Sequence, residues 1–99
     1  MAIIPATRKL DLDKARSALG QPRMRLATDS ETAVLFPEFE VGSLPPLGPH
    51  YPHPELLDWR LLQHEELMCD AGDAQHRIVL DPRAIIDLGR PVVADVCEE

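Results

Sequence analysis

The sequence predicts a small α+β domain, a mixed β-sheet with short flanking helices, and three observations carry that prediction. Apolar runs of strand length alternate with short segments of helical spacing. Three of those segments open on a capping residue, and the links in the second half are hairpin-like rather than the long crossovers of a regular βαβ array. At 99 residues, 44% hydrophobic and 27% charged, the chain has room for a single domain over residues 1–99 and a modest core.

Ala2 to Pro5 reads as a short buried strand closed by proline. Asp11 is placed to cap a helix running to Leu19, with Leu12, Ala15 and Leu19 at helical spacing and Gly20 at the left-handed position just past its end. Met24 to Ala27 alternates apolar and basic residues, as a half-exposed strand does. Thr28 and Glu31 form a capping box ahead of Ala33 to Phe36, so a second helix is expected to stop before Pro37. The proline-rich stretch from Pro37 to Pro54 is a structured loop, too apolar at Phe39, Val41, Leu44, Leu47 and Tyr51 to be a linker. Leu56 to Trp59 reads as a strand, Leu61 to Gln63 as a turn, Glu66 to Cys69 and His76 to Leu80 as two further strands. Asp81-Pro82 starts a helix through Ile85, Ile86 and Leu88 to Gly89, and Val92 to Val96 closes the fold as a strand. The four aromatic side chains Phe36, Phe39, Tyr51 and Trp59 are expected to share the core with the aliphatic residues.

The formal charge of −7 argues against unaided, tight binding to nucleic acid, since each phosphate contact needs a cation. That charge is unevenly spread: residues 1–33 carry a net +2 and the remainder a net −9, so a basic face is confined to the N-terminal third. No apolar run approaches the roughly 18 residues of a membrane span, and no leader peptide is visible. Two cysteines, Cys69 and Cys97, without a CxxC pair fit a reducing compartment, and the expected location is the cytoplasm. Cys69, in a strand between Met68 and Asp70, reads as an inert buried thiol rather than a nucleophile. His50, His53 and Glu55 are close in sequence, but their spacing in a proline-rich loop completes no metal pattern; neither a metal nor a cofactor is expected.

The segment Val41-Gly42-Ser43-Leu44-Pro45-Pro46-Leu47-Gly48 stands out, together with Ala71-Gly72-Asp73-Ala74-Gln75-His76. Glycine reaches backbone conformations closed to other residues, and adjacent prolines stiffen the next stretch of chain without offering a competing amide donor. Such a loop can aim a backbone N–H at a carbonyl oxygen on which negative charge develops. The alternative reading of Gly42 and Pro46 is a rigid turn, and of His76 a strand-edge imidazole bonded to the backbone.

With those segments in the order IIPATRKLDLDKARSALG, RLATDSETAVLFPEFEVGSLPPLG, CDAGDAQHRIVLDPRAIIDL and PVVADV, the chain resembles the YbaK-type aminoacyl-tRNA deacylases, relatives of the editing domain inserted in bacterial prolyl-tRNA synthetases. The resemblance implies hydrolysis, in trans, of the ester that joins a wrong amino acid to the 3′ end of a tRNA. It places Gly42 and Pro46 in the catalytic loop and Gly42, Ser43, Gly72 and His76 at the substrate. The Gly42 amide would hold the aminoacyl carbonyl, Pro46 would keep the loop in shape, and His76 would line the amino-acid pocket. The pattern is joined after a first strand–helix–strand unit whose lysine motif grips a terminal phosphate; Lys9 and Lys14 do not fall on it. The implied consequences are a weak hold on the tRNA end, little or no deacylation of alanyl-, cysteinyl- or seryl-tRNA by these 99 residues, and an open sheet edge that self-association or a partner chain could cover. A catalytically inactive binding or regulatory module of the same fold is the alternative.

Overall fold

A computed structural model describes residues 1–46 and 54–99. In chain order the elements are β1 (Ala2–Ile3), α1 (Leu12–Leu19), α2 (Asp29–Leu35), β2 (Leu56–Asp58), a 3-10 turn (Trp59–Gln63), β3 (Leu67–Asp70), β4 (Arg77–Leu80), α3 (Pro82–Gly89) and β5 (Val92–Ala94). Parallel and antiparallel pairing both occur, in two separate sheets. β1, β2 and β5 form a parallel sheet in that order, with Ala2 opposite Leu56 and Leu56 opposite Val92, while β3 and β4 form an antiparallel hairpin. An isolated antiparallel bridge between Leu10 and Cys97 ties the approach to α1 to the segment after β5.

The central strand β2 organises the interior because alternate residues of a strand face opposite sides. Leu56 packs with Ala15 of α1 and with Val96, and half-buried Ile4, Leu10, Leu19 and Met24 complete that cluster. Leu57 faces the other way and packs with Leu61 and Ile85, joined by Ile3, Leu67, Leu80 and Ile86. One helix therefore covers each face of the parallel sheet: α1 on one side, α3 on the other.

The local signals act where they stand in the sequence. Asp11 accepts the Lys14 amide at 3.1 Å, and Gly20 ends α1 at φ +62°. The Thr28–Glu31 capping box is made in both directions at the start of α2, and Asp81 caps α3 with Pro82 at its first position. At the end of α3 it is Arg90, not Gly89, that takes the left-handed conformation, at φ +46°.

Two expectations are corrected. Met24 to Ala27 forms no strand: its alternation is real, but among the described residues no strand pairs with it. Arg16 Nε instead donates to the Met24 carbonyl at 2.9 Å, while Arg25 makes a two-pronged pair with Glu31 at 2.7 Å. The aromatic side chains do not fill the core either. Phe36 and Phe39 are half-buried, and Trp59 is 42% exposed, with the Arg60 guanidinium 5.2 Å from its ring centre. Small and aliphatic residues fill the interior instead, among them Ala15, Leu56, Leu57, Leu61, Ile85 and Val96. Tyr51 lies outside the described residues.

Candidate functional site

The two glycine-bearing segments singled out in the sequence meet in space, 30 residues apart, through backbone hydrogen bonds. The Gly72 amide donates to the Ser43 carbonyl and the Glu40 amide donates to the Gly72 carbonyl, both at 2.8 Å. The Ser43 amide closes a turn onto the Glu40 carbonyl at 3.1 Å, and Glu40 Oε2 accepts the Ala74 amide at 2.9 Å. Four polar links thus bind residues 40–43 to each other and to 72–74.

Gly42 is exposed at the turn of this platform, at φ +85°, and a Cβ there would meet nothing within 4 Å. Its glycine identity answers a backbone requirement alone. Among the described residues no acceptor takes its N–H. Behind it, Ser43, Pro45 and Pro46 are buried, which anchors the turn from its C-terminal side. Gly72 is different: at φ +102°, a Cβ would lie 2.6 Å from Cδ1 of Phe39. That position requires glycine for conformation and for space, because the Phe39 ring lies against it.

Downstream, Asp73 shapes the turn that delivers His76. Its Oδ1 accepts the amides of Gln75 and His76, each at 2.8 Å, and its carboxylate meets Nδ1 of the His76 ring at the same distance. The His76 hydrogen bond first, then the Gln75 amide, holds the Asp73 carboxyl below its ordinary range. A carboxylate at that distance accepts the Nδ1–H of the ring and fixes its orientation. The His76 side chain is 70% exposed, at the mouth of the β3–β4 hairpin rather than paired within it. All the sequence-predicted site residues, Gly42, Ser43, Pro46, Gly72 and His76, therefore lie on two segments joined directly by hydrogen bonds. Glu40, Phe39 and Asp73 were not singled out as site residues. Asp73 carried a legible signal, an aspartate followed two and three residues later by the amides it bonds; Glu40 and Phe39 act only through long-range contacts.

A second polar cluster was also missed. Asp58, fully buried at the end of β2, accepts the Val96 amide at 3.0 Å, the Arg60 amide at 3.0 Å and the Arg60 guanidinium. Burial alone would raise its pKa, but the Val96 and Arg60 hydrogen bonds outweigh it and hold the carboxyl below its ordinary value. Asp95 bridges Arg60 and Lys14, each at 3.1 Å, and Lys14 also donates to the Cys97 carbonyl at 2.9 Å. This network locks β2 to the chain after β5 and to α1, so Lys14 is committed to the fold. Burial first, then the Asp58 contact, pushes the Cys97 thiol up to about 11, and burial also raises Cys69, which keeps both protonated at neutral pH.

Among the described residues no group of three His, Cys, Asp or Glu side chains could hold a metal, and no helix is long and apolar enough to cross a membrane. His50 and His53 lie outside the described residues.

The model of the aminoacyl-tRNA editing domain matches residues 1–88. Three solved structures superpose over nearly the whole chain. One, from work on epitope backbone grafting onto scaffold proteins by computational design, has a TM-score of 0.87 and 30% identity over 99% of this chain and 64% of its own. A second, described as a candidate trans-editing enzyme for prolyl tRNA synthetase, has a TM-score of 0.86 and 32% identity over 99% of this chain and 61% of its own. The third, described as a hypothetical protein, has a TM-score of 0.85 and 27% identity over 98% of this chain and 63% of its own. The chain thus spans less than two thirds of the length of each. No curated protein matches it.

Proposed function

This chain belongs to the aminoacyl-tRNA editing domain family, and from that premise we propose that it hydrolyses the ester of a mischarged aminoacyl-tRNA in trans, with Gly42 as the residue that receives the carbonyl. The observation that carries the reading is the Gly42 turn. Its amide is exposed and without an internal acceptor among the described residues, on a loop tied by backbone bonds to Gly72 and buried behind at Pro45 and Pro46.

In this reading water adds to the ester carbonyl, and negative charge collects on its oxygen as the tetrahedral intermediate forms. The intermediate collapses by breaking the bond to the ribose oxygen, which takes up a proton and leaves with the tRNA. An N–H already aimed at the developing oxyanion stabilises it without reorganising, and one such donor is worth about 10²–10³ in rate. Ser43 and Gly72 set the aim through their mutual hydrogen bond, and Pro46 keeps the loop in shape. His76, oriented by Asp73, borders the aminoacyl group. Among the described residues nothing pairs with the outer side of β1, and that edge is where a second copy or a partner chain would add a strand.

The test is deacylation of alanyl-, cysteinyl- and seryl-tRNA by the purified chain. The expected result is slow hydrolysis above the spontaneous rate, reduced at least about tenfold by Gly42→Ala, since alanine relaxes away from a positive φ and swings the amide off its target. No hydrolysis above background with any of the three, or a Gly42→Ala chain as active as the parent, would favour the inactive binding module.

A further inference from the structure

Glu40 offers the platform more than the fold uses. Its backbone is tied in on both sides: the amide donates to the Gly72 carbonyl at 2.8 Å, and the carbonyl accepts the Ser43 amide at 3.1 Å. Its carboxylate spends Oε2 on the Ala74 amide at 2.9 Å, and among the described residues no donor takes Oε1. The residue is exposed, two positions before Gly42 on the same turn. The acids on the facing segment are in a different state. Asp70 is paired with Arg77 at 3.1 Å, and Asp73 is taken by the His76 ring and two backbone amides. Glu40 makes no ion pair among the described residues.

An unbalanced carboxylate on this turn works against the chemistry proposed for it. Negative charge collecting on a carbonyl oxygen at the Gly42 amide is repelled by a second negative charge beside it, unless a cation lies between the two. An aminoacyl ester brings such a cation, because its α-ammonium stands on the carbon next to the carbonyl. Residues 40 and 42 are at most about 7 Å apart along the chain, a span that a glutamate side chain and an aminoacyl group cover together. An ester whose amine is blocked by a peptide or a formyl group lacks the charge and leaves the carboxylate facing the oxyanion alone.

We propose that Glu40 is a specificity-determining residue: its carboxylate takes the α-ammonium of the aminoacyl group while the Gly42 amide takes the carbonyl, so that esters with a free amine are accepted and N-blocked ones are rejected. The inference rests on the deacylase reading for its ester. Glu40 touches the amino acid and not the nucleotide, and its part depends on charge rather than on its hold on Ala74.

The experiment compares kcat/KM for alanyl-tRNA and N-acetylalanyl-tRNA in the parent, Glu40→Gln and Glu38→Gln. Glutamine keeps an oxygen for the Ala74 amide and removes only the charge; Glu38 is exposed and makes no ion pair among the described residues, so it controls for general acidity nearby. The ratio of the two substrates, normalised to the parent, cancels the different spontaneous reactivity of the esters. Glu40→Gln is expected to lower that ratio about three- to fivefold, the worth of one exposed ion pair, and Glu38→Gln to leave it unchanged. An equal loss on both substrates would make Glu40 a purely structural part of the platform and overturn the proposal, as would an unchanged ratio or the same fall in Glu38→Gln. The non-hydrolysable amide 3′-alanylamino-3′-deoxyadenosine and its N-acetyl form, followed by nuclear magnetic resonance titration, give the same comparison for binding. A preference for the free amine that falls in Glu40→Gln, without hydrolysis of either ester, would refute the deacylase reading and uphold this inference. Gly42-dependent hydrolysis with a ratio indifferent to Glu40 would refute this inference alone, and neither hydrolysis nor a binding preference would refute both.

Discussion

Replacing Gly72 with alanine probes the joint between the two halves of the site, and its cost can be worked from two separate effects. The backbone there is at φ +102°, where an L side chain is strained by about 1–3 kcal/mol. The new Cβ would also sit 2.6 Å from Cδ1 and 3.1 Å from Cε1 of the Phe39 ring, an overpacking worth a further ~1–3 kcal/mol unless the ring moves. Gly42→Ala supplies the reference: φ is +85°, but nothing lies within 4 Å, so only the strain applies. Gly72→Ala is therefore expected to destabilise by about 1–3 kcal/mol more than Gly42→Ala, and that excess should vanish when Phe39 is also alanine. Urea denaturation of the parent and substituted chains gives the numbers, and in a domain of this size each kcal/mol moves the melting temperature by about 4–8 °C. Equal costs for the two glycine substitutions, or an excess undiminished in the Phe39→Ala background, would refute the assignment of Gly72 to a contact with Phe39.

Asp58→Ala is expected to cost about 1–3 kcal/mol in urea denaturation, because it leaves the buried Val96 amide without its acceptor while Arg60 keeps Asp95; a cost under about 0.5 kcal/mol would mean that water replaces the carboxylate. Glu55 gives a pH signature of opposite sign to that of the paired aspartates. Both its oxygens are buried without a hydrogen-bond partner, and burial raises its pKa above the usual carboxylate value while the nearby N-terminal ammonium lowers it less. With the folded pKa above the unfolded one, stability is fully present below the unfolded value of 4.5 and is lost as pH rises through the folded one. Glu55→Met should therefore stabilise the fold at pH 7 and lose most of that advantage at pH 4; an equal gain at both pH values would show that Glu55 does not titrate in this range.

The local elements were legible because their causes are local. Asp11 with Gly20, the Thr28–Glu31 box and Asp81-Pro82 each act within a few residues, and α1, α2 and α3 start where those residues stand. Met24 to Ala27 was not, because alternation states only that a segment could pair, and the pairing depends on a neighbouring strand, which none of the described residues supplies there. Gly42 and Gly72 could be singled out separately as residues free to adopt positive φ. That the Gly72 amide meets the Ser43 carbonyl, and that Phe39 closes on Gly72, depends on chain reversals across 30 residues that no spacing encodes.

By itself, the order of capping residues, glycines and apolar runs determined which segments became helices and strands and which loop could present a backbone amide, since those preferences are set by φ, by capping and by side-chain alternation. Only the tertiary structure decided which of the charges are spent. Lys14, Arg16, Arg25 and Arg60 are consumed by Asp95, Asp13, Glu31 and Asp58, whereas Arg23 is exposed and makes no ion pair among the described residues. An ion pair is a matter of distance in space, and Lys14 meets Asp95 from 81 residues away.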